Sequence, residues 1–376
     1  MPVALYDPDY GAYSFDANHP FSPLRIEMVV DLLKTMRIPV ELQASKPATE
    51  NELATVHDPG YLRAVLEACQ NPAEARSDLG LGTPDNPITV GMDRGAAKIV
   101  GGTLHGARLI ADGSAERVLQ MGGGLHHAHP GLASGFCLYN DLAVAIEELV
   151  GRGLHVAYLD VDVHHGDGVQ KIFYDSGKVL TLSLHESGEY LFPGTGWTHE
   201  LGRGMGRGFK LNVPLEPFTE GDNYLEVLDM VAQPALEYFR PDVLVVQAGA
   251  DAHFSDPLAD LLLTTQAYEE LFQRIVGYAD RFAKGRLLVT FGGGYSLTST
   301  PRIWTILYLV LFGHPIFDEL PQSWIDRWRQ YLGETPPVTL HDSKNSYKPI
   351  PRRDEINRHN RLMAQRLLDA VSMLWL

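Results

Sequence analysis

Residues 160–167 read Asp160-Val161-Asp162-Val163-His164-His165-Gly166-Asp167 and follow the apolar run His155-Val156-Ala157-Tyr158-Leu159. Three carboxylates and two imidazoles at the end of a buried strand are too polar for a core. Aspartate oxygen and histidine nitrogen are natural ligands of a divalent metal. Asp162 and His164 alternate along the chain, so on an extended strand end their side chains point the same way. Asp251, in Gly249-Ala250-Asp251 after another apolar run, can join them from a neighbouring strand. Taken singly, each aspartate could be a helix cap and the histidine a satisfied core residue; the trio points to an ion. Two carboxylates and one imidazole are neutral around a divalent cation, suit Zn(II), accept Fe(II), and leave room for water and substrate. The chemistry expected is metal-assisted hydrolysis.

Two further apolar runs end in chemical residues: Gly122-Gly123-Gly124-Leu125-His126-His127 and Gly292-Gly293-Gly294-Tyr295. The elements that must position these groups are legible as a pattern. Short apolar runs at 3–6, 117–121, 156–161, 179–184, 243–248 and 286–291 alternate with segments of helical period at 25–36, 91–112, 138–152, 223–239 and 265–282. Continuously apolar strands separated by helices predict a mostly parallel sheet covered on both faces, a three-layer α/β/α architecture. In such a sheet, ligands bind outside the carboxyl ends of the strands, so the four segments should converge on one crevice.

The chain has 376 residues, 45% hydrophobic and 21% charged, enough for a large core in one or two α/β domains. We expect one domain over 1–376. The plausible boundary is the Pro-rich, polar stretch 333–353, after which Ile356, Met363, Leu367, Ala370 and Leu374 keep helical spacing. A C-terminal helix over about 352–374, docked on the body, is the prediction. Acidic residues outnumber basic ones, 47 to 31, for a formal charge of −16. That balance disfavours nucleic acid and anionic membranes and favours a positively charged partner. Two cysteines, Cys69 and Cys137, give no disulfide framework. The first residues lack a basic region with a long apolar segment, and the apolar tail 373–376 is too short to span a bilayer, so a cytoplasmic location is expected.

The residues also carry a family resemblance. From Tyr6 to about Leu311 the chain resembles the zinc-dependent histone deacetylases, in particular their bacterial acetoin-utilisation branch. The matching blocks are His19-Pro20 with Arg25, Gly82-Thr83-Pro84-Asp85-Asn86-Pro87, Gly124-Leu125-His126-His127-Ala128, Ser134-Gly135-Phe136-Cys137, 160–169, Phe192-Pro193-Gly194-Thr195-Gly196, Gly249-Ala250-Asp251 and Gly292-Gly293-Gly294-Tyr295. The resemblance implies an arginase-like fold with an eight-stranded parallel sheet and hydrolysis of acetyl-lysine in proteins to lysine and acetate. It also suggests acetyl-CoA synthetase as a target.

By that resemblance Asp162, His164 and Asp251 hold the catalytic metal. Asp160 orients His126 and Asp167 orients His127, because a carboxylate on Nδ1–H fixes the tautomer and raises the basicity of Nε2. His127 would deprotonate the attacking water and later protonate the leaving amine, with His126 an electrostatic helper. Tyr295 would donate a hydrogen bond to the substrate carbonyl and hold the oxyanion. Phe136 and Phe192, with Gly135, would wall a channel for a lysine-like chain; Asp85 would sit on its rim, and Arg25 would line an internal exit for acetate. The resemblance further implies K+ or Na+ at two places. One uses Asp160, Ser183 and the main-chain oxygens of Asp162, His164 and Leu184. The other uses the main-chain oxygens of Phe173, Ser176, Val179 and Phe209.

Three other readings compete. Acetylpolyamine deacetylation uses the same chemistry on a free polyamine. Two-metal ureohydrolases place a further Asp two residues after the metal-binding His, where this chain has Gly166. A non-catalytic acyl-lysine reader would need neither the dyads nor Tyr295.

Overall fold

In the computed structural model, which describes residues 2–16 and 19–375, eight strands form one parallel sheet in the order β2-β1-β3-β8-β7-β4-β5-β6. They are β1 (Val3–Leu5), β2 (Leu42–Gln43), β3 (Arg117–Gln120), β4 (Val156–Asp160), β5 (Val179–Glu186), β6 (Lys210–Leu215), β7 (Val243–Gln247) and β8 (Leu287–Thr290). The helices longer than three residues, apart from one 3-10 turn, are α1 (Leu24–Thr35), α2 (Glu50–Leu53), α3 (Pro59–Gln70), α4 (Met92–Ala111), α5 (Asp141–Gly151), α6 (Asp167–Ile172), α7 (Gly221–Phe239), α8 (Thr265–Phe282), α9 (Thr300–Phe312), α10 (Gln322–Leu332) and α11 (Arg353–Ser372). Among the described residues, no helix is long and apolar enough to cross a membrane.

Parallel strands need crossovers, and the helices that make them cover both faces. Ala157 and Leu159 of β4, with Leu244 and Val246 of β7, face a core built from α1, α7, α8 and α9. Their neighbours Val156, Tyr158, Val243 and Val245 face a second core built with α4 and α5. This period-two division between two apolar layers makes the sheet read as continuously hydrophobic. Each fully buried Val or Leu contributes about 1.5–3 kcal/mol.

Two strands escaped the sequence pattern. β2 has only two residues, and β6 carries Lys210, Asn212 and Pro214, as an edge strand can. Helices α2, α3, α6, α9 and α10 were also not anticipated. The C-terminal helix lies where expected, but the face it buries is Ile356, Asn360, Ala364, Leu367 and Val371; Ala370 is exposed. Asn360 takes a core position because its Nδ2 donates to Thr219 Oγ1 and Asn223 Oδ1 and its Oδ1 accepts from Glu216 N–H.

The polar stretch 333–353 is stitched to the body. Asp342, half-buried with its side chain only 5% exposed, accepts from the backbone N–H and hydroxyl of Thr265, from His253 Nε2 at 2.8 Å and from Arg302 Nη2 at 2.9 Å. Despite burial, these donors hold its carboxyl well below the usual range. Asp342→Asn should therefore cost about 3–5 kcal/mol, seen as a lower urea midpoint. A depressed folded-state pKa adds stability above the unfolded value, so the gap between variant and parent should narrow as pH falls below about 4.

Candidate active site

The carboxyl ends of β3, β8, β7 and β4 are neighbours in the sheet, and all four chemical segments emerge there. β4 itself stops at Asp160. Asp162 and His164 lie beyond it, in a bend, so strand alternation is not what aligns them. Successive turns do so: Asp162 N–H donates to Asp160 Oδ1 at 3.2 Å and His164 N–H to Asp162 Oδ1 at 3.0 Å.

Ligand atoms of Asp162, His164 and Asp251 all lie within 4.8 Å of one another. His164 Nδ1 is 3.0 Å from Asp162 Oδ1 and 3.3 Å from Asp251 Oδ2. Asp162 Oδ2 accepts from Gln247 Nε2 at 2.6 Å and Gly293 N–H at 2.8 Å, and Asp251 Oδ1 from Val163 N–H at 3.0 Å. Asp251 Oδ2 is buried with no hydrogen-bond partner. Burial and the Asp162 charge push the Asp251 carboxyl up to about 7, while the two carboxylates, overcoming burial, push His164 up to about 10. An orphaned carboxylate oxygen beside another carboxylate and an imidazole fits a divalent cation held by these three residues.

The two dyads are formed. His126 Nδ1–H donates to Asp160 Oδ2 at 2.8 Å, and His127 Nδ1–H to Asp167 Oδ1 at 2.7 Å. Their Nε2 atoms are 2.9 Å apart, close enough to share a proton. The environments differ. Burial opposes the charge on His126, but Asp160 and Asp162 prevail and raise it to about 9. Burial and the His126 charge lower His127 to about 4 despite Asp167. The two shifts run in opposite directions, so the surroundings favour a proton on His126 over one on His127.

Above these groups opens a cleft of about 200 Å³ lined by Asp85, His127, Gly135, Phe136, His164, Leu191, Phe192, Leu258 and Tyr295. Phe136 meets Tyr295 edge-on at 5.7 Å, and Phe192 meets His127 edge-on at 5.1 Å. Gly135 lies against His127, where a Cβ would sit 2.3 Å from Cδ2. Asp85 is exposed, and among the described residues its carboxylate has no hydrogen-bond partner; the Thr83 hydroxyl, accepting from Asn86 N–H, makes that turn instead.

Arg25 is buried rather than part of a surface ion pair. Its Nη1 donates to Gly292 O at 3.1 Å and Gly294 O at 2.8 Å, and its guanidinium lies 5.6 Å from the Tyr295 ring centroid. It borders an internal cavity of about 10 Å³, room for roughly one water. Asp160 and Ser183 are register partners on β4 and β5, and Glu186 N–H donates to Val163 O, so residues 160–164 run beside 183–186. In the other expected cation cradle, the carbonyls of Ser176, Val179 and Phe209 accept from Lys210 Nζ, and that of Phe173 accepts from Ser176 N–H.

Several supporting residues were missed. Gln247 ends an otherwise apolar strand, the one signal that could have marked it. Asn140 and Asp141 read as a helix start, yet they hold the His126 loop. Asn140 Nδ2 donates to His126 O and Ala128 O, while Asp141 accepts from Gly124 and Leu125 N–H. Asp256 accepts from Tyr295 N–H at 2.7 Å, and Leu191 and Leu258 left no signal beyond being apolar.

With this geometry in hand, comparison with known proteins is specific. The histone deacetylase domain family matches residues 19–311. The chain belongs to that family. It is 41% identical over 375 residues to the acetoin utilization protein AcuC of Bacillus subtilis, covering 98% of this chain and 97% of that protein. It is 36% identical over 364 residues to AcuC of Staphylococcus xylosus, covering 95% and 94%. The crystal structure of a histone deacetylase homologue from Aquifex aeolicus superposes with a TM-score of 0.82 at 30% identity, over 96% of this chain and 99% of that one. A histone deacetylase homologue complexed with SAHA gives 0.83 at 29% identity, over the same shares. The protein is a deacetylase-family hydrolase with the three-layer parallel-sheet fold.

Gly166 bears on the metal count. A Cβ there would lie 2.0 Å from Asp160 Oδ2, so the further aspartate of two-metal ureohydrolases has no room. Chelated and reconstituted protein should hold one divalent ion per chain by elemental analysis, and Asp251→Ala should bind it at least about tenfold more weakly. Two tightly held ions per chain would contradict the arrangement.

Proposed function

We propose that this protein hydrolyses acetyl-lysine in cytoplasmic proteins to lysine and acetate, using Zn(II) or Fe(II) held by Asp162, His164 and Asp251. The observation that carries the reading is the cleft, whose walls are Phe136 and Phe192 and whose lining includes His164, His127 and Tyr295. A four-methylene stem loses water between ring faces at little cost and delivers its amide to polar groups at the bottom. The acetoin-utilisation relatives and the histone deacetylase homologues support the same class.

A divalent cation bound by the trio would supply Lewis acidity to the amide carbonyl and to water. Burial and the neighbouring His126 charge disfavour a proton on His127, and with Asp167 on its Nδ1–H the basic atom is Nε2; that atom faces His126 Nε2 at 2.9 Å, so a water that displaces this contact would give its proton there. The same nitrogen returns that proton to the lysine amine as the C–N bond breaks. His126, on which Asp160 favours a proton, offsets negative charge developing nearby. Tyr295 is half-buried at the cleft, and desolvation together with the nearby Asp251 and Asp162 charges pushes its phenol well above its usual pKa, which favours the protonated hydroxyl as a donor. Arg25 fixes the loop carrying it through the Gly292 and Gly294 carbonyls.

Metal-loaded enzyme should show a higher kcat/KM on acetyl-lysine peptides than on acetylpolyamines or arginine; preference for an acetylpolyamine would replace the protein substrate with a small one. Tyr295→Phe should lower kcat roughly a hundredfold or more with little change in KM and normal metal content. Near-normal kcat in that variant would refute the oxyanion role.

The uncommitted carboxylate of Asp85 suits a different task, accepting main-chain N–H groups on either side of an acetyl-lysine. Asp85→Ala should reduce kcat/KM on acetylated peptides by about tenfold or more. A free acetyl-lysine analogue lacking those N–H groups should be far less affected; equal losses on both would remove the clamp.

A further inference from the structure

Lys210 opens β6 and is fully buried, with 0% exposure. Its Nζ donates to three main-chain carbonyls: Ser176 O at 3.2 Å, Val179 O at 2.5 Å and Phe209 O at 3.2 Å. The carboxylate that acts on it, Asp175, is exposed and paired with Arg203 at 2.6 Å. The ammonium is therefore held by carbonyl dipoles rather than by a counter-ion. Three inward-turned carbonyls also make the kind of oxygen cradle that would otherwise take an alkali cation, and three of the four oxygens that the family resemblance assigns to a second monovalent ion are these.

We propose that in this protein the Lys210 ammonium is a tethered replacement for that ion, so that the cradle binds neither K+ nor Na+. A chain-borne cation needs no capture from solution, and its occupancy does not vary with salt. One N–H points at each oxygen, which uses the full donor inventory of a protonated lysine; a neutral amine would turn its lone pair towards one of the carbonyls. Burial draws the lysine down to about 7, and the three acceptors favour the charged form against it.

The cradle ties elements of consequence. Ser176 and Val179 bracket the turn between α6 and β5, and Phe209 precedes β6, where its carbonyl also accepts from Thr181 N–H. Helix α6 begins at Asp167, which holds His127. The tether thus fixes the far end of the helix whose first residue orients a ring in the site. None of this rests on the identity of the substrate.

Thallous ion, a K+ substitute with a strong anomalous signal, provides the test. Crystals of the parent protein grown in Tl+ should show no ion in contact with the carbonyls of Ser176, Val179 and Phe209. Lys210→Ala, which opens the space, should show one there. In solution its Tm should rise by roughly 2 °C or more beyond any rise in the parent when choline chloride is exchanged for KCl at constant ionic strength. Thallium at the cradle of the parent protein would overturn the proposal, and that measurement stands even if the variant fails to fold. A folded variant with neither a Tl+ site nor a greater K+ response than the parent would overturn it as well.

Discussion

Two aspartates, Asp162 and Asp251, are buried side by side, 1% and 0% exposed, and the architecture around the carboxyl edge of the sheet answers that electrostatic problem. Like charges in a low-dielectric pocket repel strongly, and each loses its hydration. The compensation comes from fixed donors: Val163, His164 and Gly293 through their backbone N–H groups, and Gln247 through its amide. Those donors come from the ends of three adjacent strands, β4, β7 and β8, so the sheet order is the means by which the charges can coexist. The His164 imidazole shares the remaining negative potential, and a divalent ion held by the trio would complete the balance.

Charge is distributed with similar economy elsewhere. Asp160 receives Tyr158 hydroxyl, His126 Nδ1–H and Asp162 N–H, filling three of the roughly four acceptor positions of a carboxylate, and its charge favours a proton on His126 over His127. Two other buried cations, Arg25 and Lys210, have main-chain carbonyls where counter-ions would be expected. At Arg25 the carbonyls of Gly292 and Gly294 turn inward while Gly293 N–H serves Asp162, and at Lys210 the carbonyls of Ser176, Val179 and Phe209 turn inward beside the turn between α6 and β5; in each place a side-chain cation absorbs the inward-facing oxygens. Loop conformation and charge placement are one design.

Much of this was legible because strand ends concentrate chemistry. Asp162, His164, Asp251, the paired histidines and Tyr295 each stand where an apolar run stops, and the contrast identifies them without any coordinates. What stayed hidden falls into two kinds. Gln247, Asn140 and Asp141 act through main-chain groups or through a ligand, and their sequence context is that of a strand end or a helix cap. β6 broke the apolar pattern with Lys210 and Asn212, which hydrogen bonds hold in place, and with Pro214, which an edge strand tolerates; periodicity represents neither. The strand alternation inferred for Asp162 and His164 reached the right grouping by a different route from the real one, since turns beyond β4 aim both side chains.

The same edge strand has a consequence for how the chain behaves among copies of itself. An open parallel sheet ends in rows of unpaired amide and carbonyl groups that invite another strand. Here β2 offers only two residues, too short a template. At the opposite end Pro214 removes a donor from β6, and α11 lies over the strand with Asn360 taking the Glu216 N–H just past its end. Growth of the sheet by strand addition is thereby blocked on both sides, which protects against edge-to-edge aggregation while the carboxyl edge stays open for ligands.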